Sequence, residues 1–193
     1  MMASYQKVPK NSRIRKDVLE ALCKRAEETS TSVNNLLNQY LMQGPILDAL
    51  KEFADAGVIS MNVVLELMEN LSEEYLEKLG QKLGSTNAKK LFTVYSTEPN
   101  LGNVIWSFSQ VYSRLCNWFE FKHNIDERGV HYLIFMHKRG SKWTAYLKGY
   151  ITVMLETLLN IEPKVNATSD MLEFKIDEKS KVFTGIIQQQ SKI

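Results

Sequence analysis

Sulfur is scarce in this chain, and long apolar runs are missing. Its 193 residues hold two cysteines, Cys23 and Cys116, far apart and each inside an apolar pattern of helical spacing. Such thiols read as reduced, buried small hydrophobes rather than as a disulfide. No apolar run reaches the roughly 18–20 residues that a membrane-spanning helix needs. The opening stretch, MMASYQKVPKNSRIRK, is charged with no apolar segment behind it, so no secretory signal is expected. These features together lead to the expectation of a cytoplasmic protein with no membrane partner.

Catalytic signatures are missing too. The sequence has no glycine-rich phosphate loop, no nucleophile elbow, no paired catalytic carboxylates and no CxxC, so an enzyme is not expected. All three histidines, His123, His131 and His137, fall on one expected hairpin. No cysteine or carboxylate has the spacing to complete a metal or haem site beside them, so neither a metal nor a cofactor is expected.

A hydrophobic fraction of 44% and a charged fraction of 24% belong to an ordinary globular protein. The net charge of +2 hides an asymmetry: residues 1–43 carry +3, residues 44–86 carry −5 and residues 87–193 carry +4. The first sixteen residues hold Lys7, Lys10, Arg13, Arg15 and Lys16 with no acid among them. A basic arm of this kind suits either a polyanion partner or plain solvation.

Behind the arm, Val18, Leu19, Leu22, Cys23 and Ala26 recur at helical spacing, which predicts a helix over 16–28. The Thr29-Ser30-Thr31-Ser32 cluster should break it, because Ser and Thr compete for backbone hydrogen bonds. Ser32 suits the N-cap of a second helix, 33–43, with Val33, Leu36, Leu37, Tyr40 and Leu41 on one face and an end at Gly44-Pro45.

This order of short basic strand, helix, capped turn and helix resembles the ribbon-helix-helix family of DNA-binding proteins, the MetJ/Arc/CopG type, over residues 7–43. The run "SVNNLL" after "RIRKDVLEALCKRAEE" carries most of the likeness. The resemblance implies a homodimer whose paired strands enter the major groove of double-stranded DNA. It implies that Asn11 and Arg13 read bases. Lys7, Lys10, Arg15, Lys16, Ser32, Val33 and Asn34 would hold phosphates. Ile14, Val18, Leu19, Leu22, Val33, Leu36, Leu37 and Tyr40 would form the dimer core. The strand departs from the pattern at Pro9, Lys10 and Ser12, which are unsuited to a ladder or to an apolar inner face.

Residues 44–86 read as an acidic helical connector. One stripe is Ile46, Leu47, Leu50, Phe53 and Ala54, ending at Gly57; Ser60 and Ser72 suit the caps of two further helices, the second ending at Gly84. The acids lack metal-site spacing and read as a solvated face.

Residues 87–193 read as an α+β domain. Leu91–Tyr95 suits a strand, with a helix end as the alternative, and 101–117 carries a helical stripe. A turn at Asp126-Glu127-Arg128-Gly129 would put Phe119, Phe121, His123 and Ile125 on one face with Val130, Tyr132, Ile134 and Met136. On that register His123 points inward and His131 and His137 outward. A long helix follows, capped at Ser141, then strands near 164–168 and 171–176. The order β-α-β-β-α-β would be ferredoxin-like. The final KVFTGIIQQQSKI suits an edge strand or a frayed tail.

The expected organisation is therefore a ribbon-helix-helix unit (1–43), a connector (44–86) and a ferredoxin-like sensor or interaction domain (87–193). The first functional expectation is a dimeric transcriptional regulator, its C-terminal domain sensing an unidentified small-molecule effector or stabilising the dimer. The second is a protein-interaction and assembly module that uses the helix pair without DNA binding.

Overall fold

The computed structural model describes residues 14–54, 59–94 and 98–177. The chain divides into two compact units, Met1–Pro45 and Ile46–Ile193. The expected strand at 7–13, with Lys7, Lys10, Asn11 and Arg13, lies outside the described residues, as does the tail from 178 onward.

The first unit is a helical hairpin. Helix α1 (Lys16–Glu28) ends where Thr29 turns its hydroxyl back to the Arg25 carbonyl at 2.8 Å and Ser30 takes a left-handed φ of 49°. Ser32 then caps α2 (Val33–Ala54), its hydroxyl oxygen accepting from the Asn35 N–H at 3.2 Å. Leu22, Ala26 and Leu36 form a small buried cluster, with Val33 and Leu37 packed against it.

Helix α2 departs from expectation. It does not stop at Gly44-Pro45 but continues to Ala54 with Pro45 inside it. Proline forfeits one helical hydrogen bond. The bond forfeited is the one that an N–H at position 45 would give to the carbonyl of Leu41, an exposed residue.

In the second unit, α3 (Met61–Met68) is followed by α4 (Glu73–Val94), capped by Ser72 accepting from the Tyr75 N–H at 3.2 Å, with Glu73 and Glu74 in its first turn. Helix α4 runs ten residues past the expected stop at Gly84, and the strand expected at 91–95 is its last turn as far as Val94. Gly84 is a packing residue, not a cap. With Gly80 it lets α4 lie backbone to backbone against α6 (Gly140–Leu159), where Gly149 reciprocates.

Helix α5 (Leu101–Ser107), capped by the Asn100 carboxamide accepting from the Asn103 N–H at 2.9 Å, passes into a π-helical segment, Phe108–Leu115. Four strands follow: β1 (Glu120–Ile125), β2 (His131–Met136), β3 (Lys164–Ala167) and β4 (Met171–Ile176). They form one antiparallel sheet in the order β1-β2-β4-β3. The domain is α+β, but the strand that ferredoxin-like order needs ahead of α5 is helix. Helix α6 starts without a cap from Ser141; the Asp170 carboxylate accepts from the Gly140 N–H at 3.1 Å instead.

The β1–β2 register differs by one residue from expectation. Phe121 faces Phe135, His123 faces Leu133 and Ile125 faces His131. The Asp126 side chain causes the shift: it accepts from the Arg128 and Val130 N–H groups, each at 2.9 Å, while Gly129 takes φ +80°. The loop therefore holds five residues, 126–130, and a one-residue slip inverts the face of every β2 side chain. Leu133 and Phe135, not Tyr132, Ile134 and Met136, point inward with Leu172, Phe174 and Ile176 of β4. Phe135 anchors this core, its ring centroid 4.8 Å from Phe119 and 5.1 Å from Phe108.

Candidate functional site

The chemistry-bearing groups of the second unit gather where α3, α4, α6 and the end of the π segment meet. A wide π turn brings the Cys116 N–H to the Val111 carbonyl at 2.8 Å and the Trp118 N–H to the Tyr112 carbonyl at 2.9 Å, with Asn117 between them at φ 53°. The geometry swings Leu115, Cys116 and Trp118 toward α6. Arg139 secures the bend by donating to the Trp118 carbonyl and, at 2.5 Å, to the Asn117 carbonyl, while Trp143 Nε1 donates to the Trp118 carbonyl at 3.2 Å.

The result is an apolar cavity of about 480 Å³. Met61, Val64 and Met68 of α3 form one wall, Leu79 and Leu83 of α4 another, and Trp118, Trp143 and Tyr146 a third. Lys51 is the one charged side chain in the lining, and it is exposed. Burial pushes the Cys116 thiol up to about 11 and the Tyr146 phenol above its ordinary range. Both stay protonated at neutral pH, so neither acts there as a ready nucleophile or base. Behind them the Tyr112 and Tyr150 hydroxyls share a buried hydrogen bond of 2.9 Å.

The histidines do not form one site. The inverted register places His123 Nε2 2.9 Å from His131 Nδ1, the rings within 9° of parallel. His131 therefore does not point to the opposite face. His137 stands apart, its Nε2 3.1 Å from the Thr144 hydroxyl and its Nδ1 accepting from the Arg139 N–H at 3.2 Å. Among the described residues no three or more His, Cys, Asp or Glu side chains group as metal ligands.

Of the residues expected to hold phosphate, Arg15 pairs with Asp17 at 2.5 Å and Lys16 with Glu20 at 3.8 Å, while Asn34 is exposed. Of the expected dimer core, Leu22 and Leu36 are buried within the hairpin itself, and Val33 and Leu37 are half-buried. Ile14, Val18, Leu19 and Tyr40 are exposed, at 36–45%. Cys23, expected to be buried, is exposed.

The described residues form an α+β domain and a helical hairpin. No family model and no curated protein matches the chain. A solved structure that resembles it is that of trafficking protein particle complex subunit 3 from Naegleria fowleri, covalently bound to palmitic acid. That likeness has 10% identity and a TM-score of 0.41, and covers 74% of this chain and 96% of that one.

The ribbon-helix-helix assignment is thereby corrected. The structural neighbour is a trafficking-complex subunit and no family model of the DNA-binding type matches. With that assignment go transcriptional regulation, the double-stranded DNA partner, and the homodimer and effector attached to it. The likeness had rested on residues 7–43, where common residue types at helical spacing describe almost any capped helical hairpin. Sequence reasoning reached only the aromatic wall, as Trp118, Trp143 and Tyr146 are among the aromatics able to line a ligand pocket, and missed the α3 and α4 walls, which come from distant segments. The accessible hint was the concentration of Trp118, Trp143 and Tyr146 near Cys116.

Proposed function

We propose that this chain is a non-enzymatic protein-interaction and assembly module, and that α3 is its docking helix. The observation that carries this reading is that α3 is apolar on opposite faces. Met61, Val64 and Met68 turn inward, while Val63 and Leu67, four residues apart and 47 and 70% exposed, form an outward stripe. A helix apolar all round is ordinarily buried, so the outer stripe calls for a cover.

Charge selects a polypeptide as that cover. Glu66 flanks the stripe, and Glu73 and Glu74 follow at the start of α4, all exposed. This acidic rim repels an anionic lipid surface and suits a protein partner that presents an apolar strip with basic edges. The second unit, from Ile46 onward, is the binding domain; the hairpin's exposed Val18, Leu19, Leu41 and Met42 offer a second apolar face. Among the described helices none is long and apolar enough to cross a membrane. Both cysteines are free, which suits work in the reducing cytoplasm.

The test compares complexes retained by the tagged full chain and by a Val63→Glu/Leu67→Glu variant, both expressed in the native cell at native level. A partner present in stoichiometric amount with the parent chain, and lost from a variant of unchanged thermal stability, supports the reading. A partner retained equally by both, or no stoichiometric partner, overturns it.

A further inference from the structure

The shifted register of β1 and β2 leaves two imidazoles side by side. His123 of β1 faces Leu133, and His131 of β2 faces Ile125, so the two histidines stand diagonally on one face of the sheet. His123 Nε2 lies 2.9 Å from His131 Nδ1, with the ring planes within 9° of parallel. Two neutral rings so placed hold one proton between the facing nitrogens, and each nitrogen has a lone pair to offer once that proton moves. Both rings are half-buried and Ile125 beside them is 57% exposed, so water reaches the pair.

We propose that His123 Nε2 and His131 Nδ1 chelate one divalent transition-metal ion of the nickel or copper type. Distance selects the ion. Two nitrogens at adjacent corners of a square or octahedron, each about 2.0–2.1 Å from the metal, stand about 2.9 Å apart, whereas at the corners of a tetrahedron they stand about 3.3 Å apart. The pair matches the first arrangement. Imidazole nitrogen suits these borderline ions and not Mg²⁺ or Ca²⁺, which take oxygen ligands. Both rings stay neutral on binding, because the shared proton moves to the far nitrogen of its own ring. Each ring then turns about its Cβ–Cγ bond, a broad torsion, to aim its lone pair at the ion. Among the described residues no third His, Cys, Asp or Glu joins the pair, so water fills the remaining positions. The ion ties the edge strand β1 to its neighbour, and the fold gains stability by mass action.

The experiment titrates nickel chloride and, separately, magnesium chloride into the untagged full chain carrying Cys23→Ser, which removes an exposed thiol that would compete. Heat and thermal unfolding follow binding, and proton NMR follows the three histidine rings. One Ni²⁺ per chain is expected. It should raise the unfolding midpoint and broaden the ring signals of His123 and His131 ahead of those of His137, and Mg²⁺ should do neither. His123→Gln and His131→Gln should each weaken Ni²⁺ by at least the roughly 10–100-fold that loss of a partner outside the coordination shell costs. His137→Gln should leave the affinity unchanged. Where a pair variant does not fold, the order of broadening in the parent chain decides. No saturable Ni²⁺ binding, broadening led by His137, or full affinity in either pair variant overturns the proposal. The inference is independent of the docking reading, because the Val63→Glu/Leu67→Glu variant alters only α3 and should bind Ni²⁺ normally.

Discussion

Gly80 of α4 lies directly against the Tyr146 carbonyl of α6, so close that a single added methyl group would overlap it. Gly149 of α6 meets the Glu77 carbonyl of α4 in the same way. The two helices cross backbone to backbone because three positions, Gly80, Gly84 and Gly149, carry no side chain. That crossing also sets the spacing of Leu79, Leu83, Trp143 and Tyr146 along the cavity wall.

Substitution at the crossing should therefore run against helix propensity. Alanine is better than glycine in a helix by about 1 kcal/mol. Overpacking costs about 1–3 kcal/mol, and here the obstacle is backbone that cannot turn aside. Gly80→Ala and Gly149→Ala should each lower the unfolding midpoint. Gly44→Ala, inside α2 with open space where its methyl would go, should raise it. Thermal unfolding of the three variants checks the opposed signs.

The Tyr112–Tyr150 bond makes a second prediction. Both residues are buried; without the Tyr112 hydroxyl, Tyr150 keeps Asn87 as a partner, whereas without the Tyr150 hydroxyl that of Tyr112 loses this bond. Tyr112→Phe should cost about 1 kcal/mol, as a lost buried hydrogen bond does. The Tyr112→Phe/Tyr150→Phe double variant should cost less than the two single changes added together, since the bond between the two hydroxyls is lost only once. A chemical-denaturation cycle measures the difference.

How much of this was legible in the sequence follows from the range of each interaction. Helix α1 and most of α6 were readable because their apolar stripes are local: Trp143, Leu147, Ile151 and Leu155 announce a buried face by spacing alone. Strand β4 was readable from its alternation of Leu172, Phe174 and Ile176. Gly84 misled because a glycine after a leucine-rich run is a good stop signal, and only α6, more than fifty residues on, shows why it is not one. The hairpin register turned on one carboxylate, Asp126, reaching the Val130 N–H and lengthening the loop by one residue. Beyond its aromatic wall the cavity was illegible for the same reason as the crossing: it exists only once α3, α4, α6 and the π segment are assembled.

Two histidines give stability a pH dependence. Burial lowers His123, with the neighbouring His131 adding to it; burial also lowers His137, Arg139 reinforcing and Asp170 opposing. A base whose folded value lies below its ordinary value, about 6.5, disfavours the protonated fold. The stabilising contribution is whole above that ordinary value and is lost as pH falls through it toward the folded one. The unfolding midpoint should therefore drop between about pH 7 and pH 5, and the drop should be shallower in His123→Gln. A midpoint that is flat over this window contradicts the assignment.

Thiol reactivity should separate the two cysteines. Cys23 is exposed, whereas burial raises Cys116 to about 11. The reactive species is the thiolate, so at mildly alkaline pH the buried Cys116 should react more slowly than the exposed Cys23. Titration with a chromogenic disulfide should show one fast and one slow thiol, and Cys23→Ser should remove the fast phase.

The central claim is that another polypeptide covers the outer stripe of α3. The most direct measurement places a photo-crosslinking residue at Leu67 and, as a control, at the exposed Glu156 of α6, in the native cell. The expected result is a single adduct of defined mass from position 67 and none from position 156. Adducts of equal yield from both positions, or none from position 67, would contradict it.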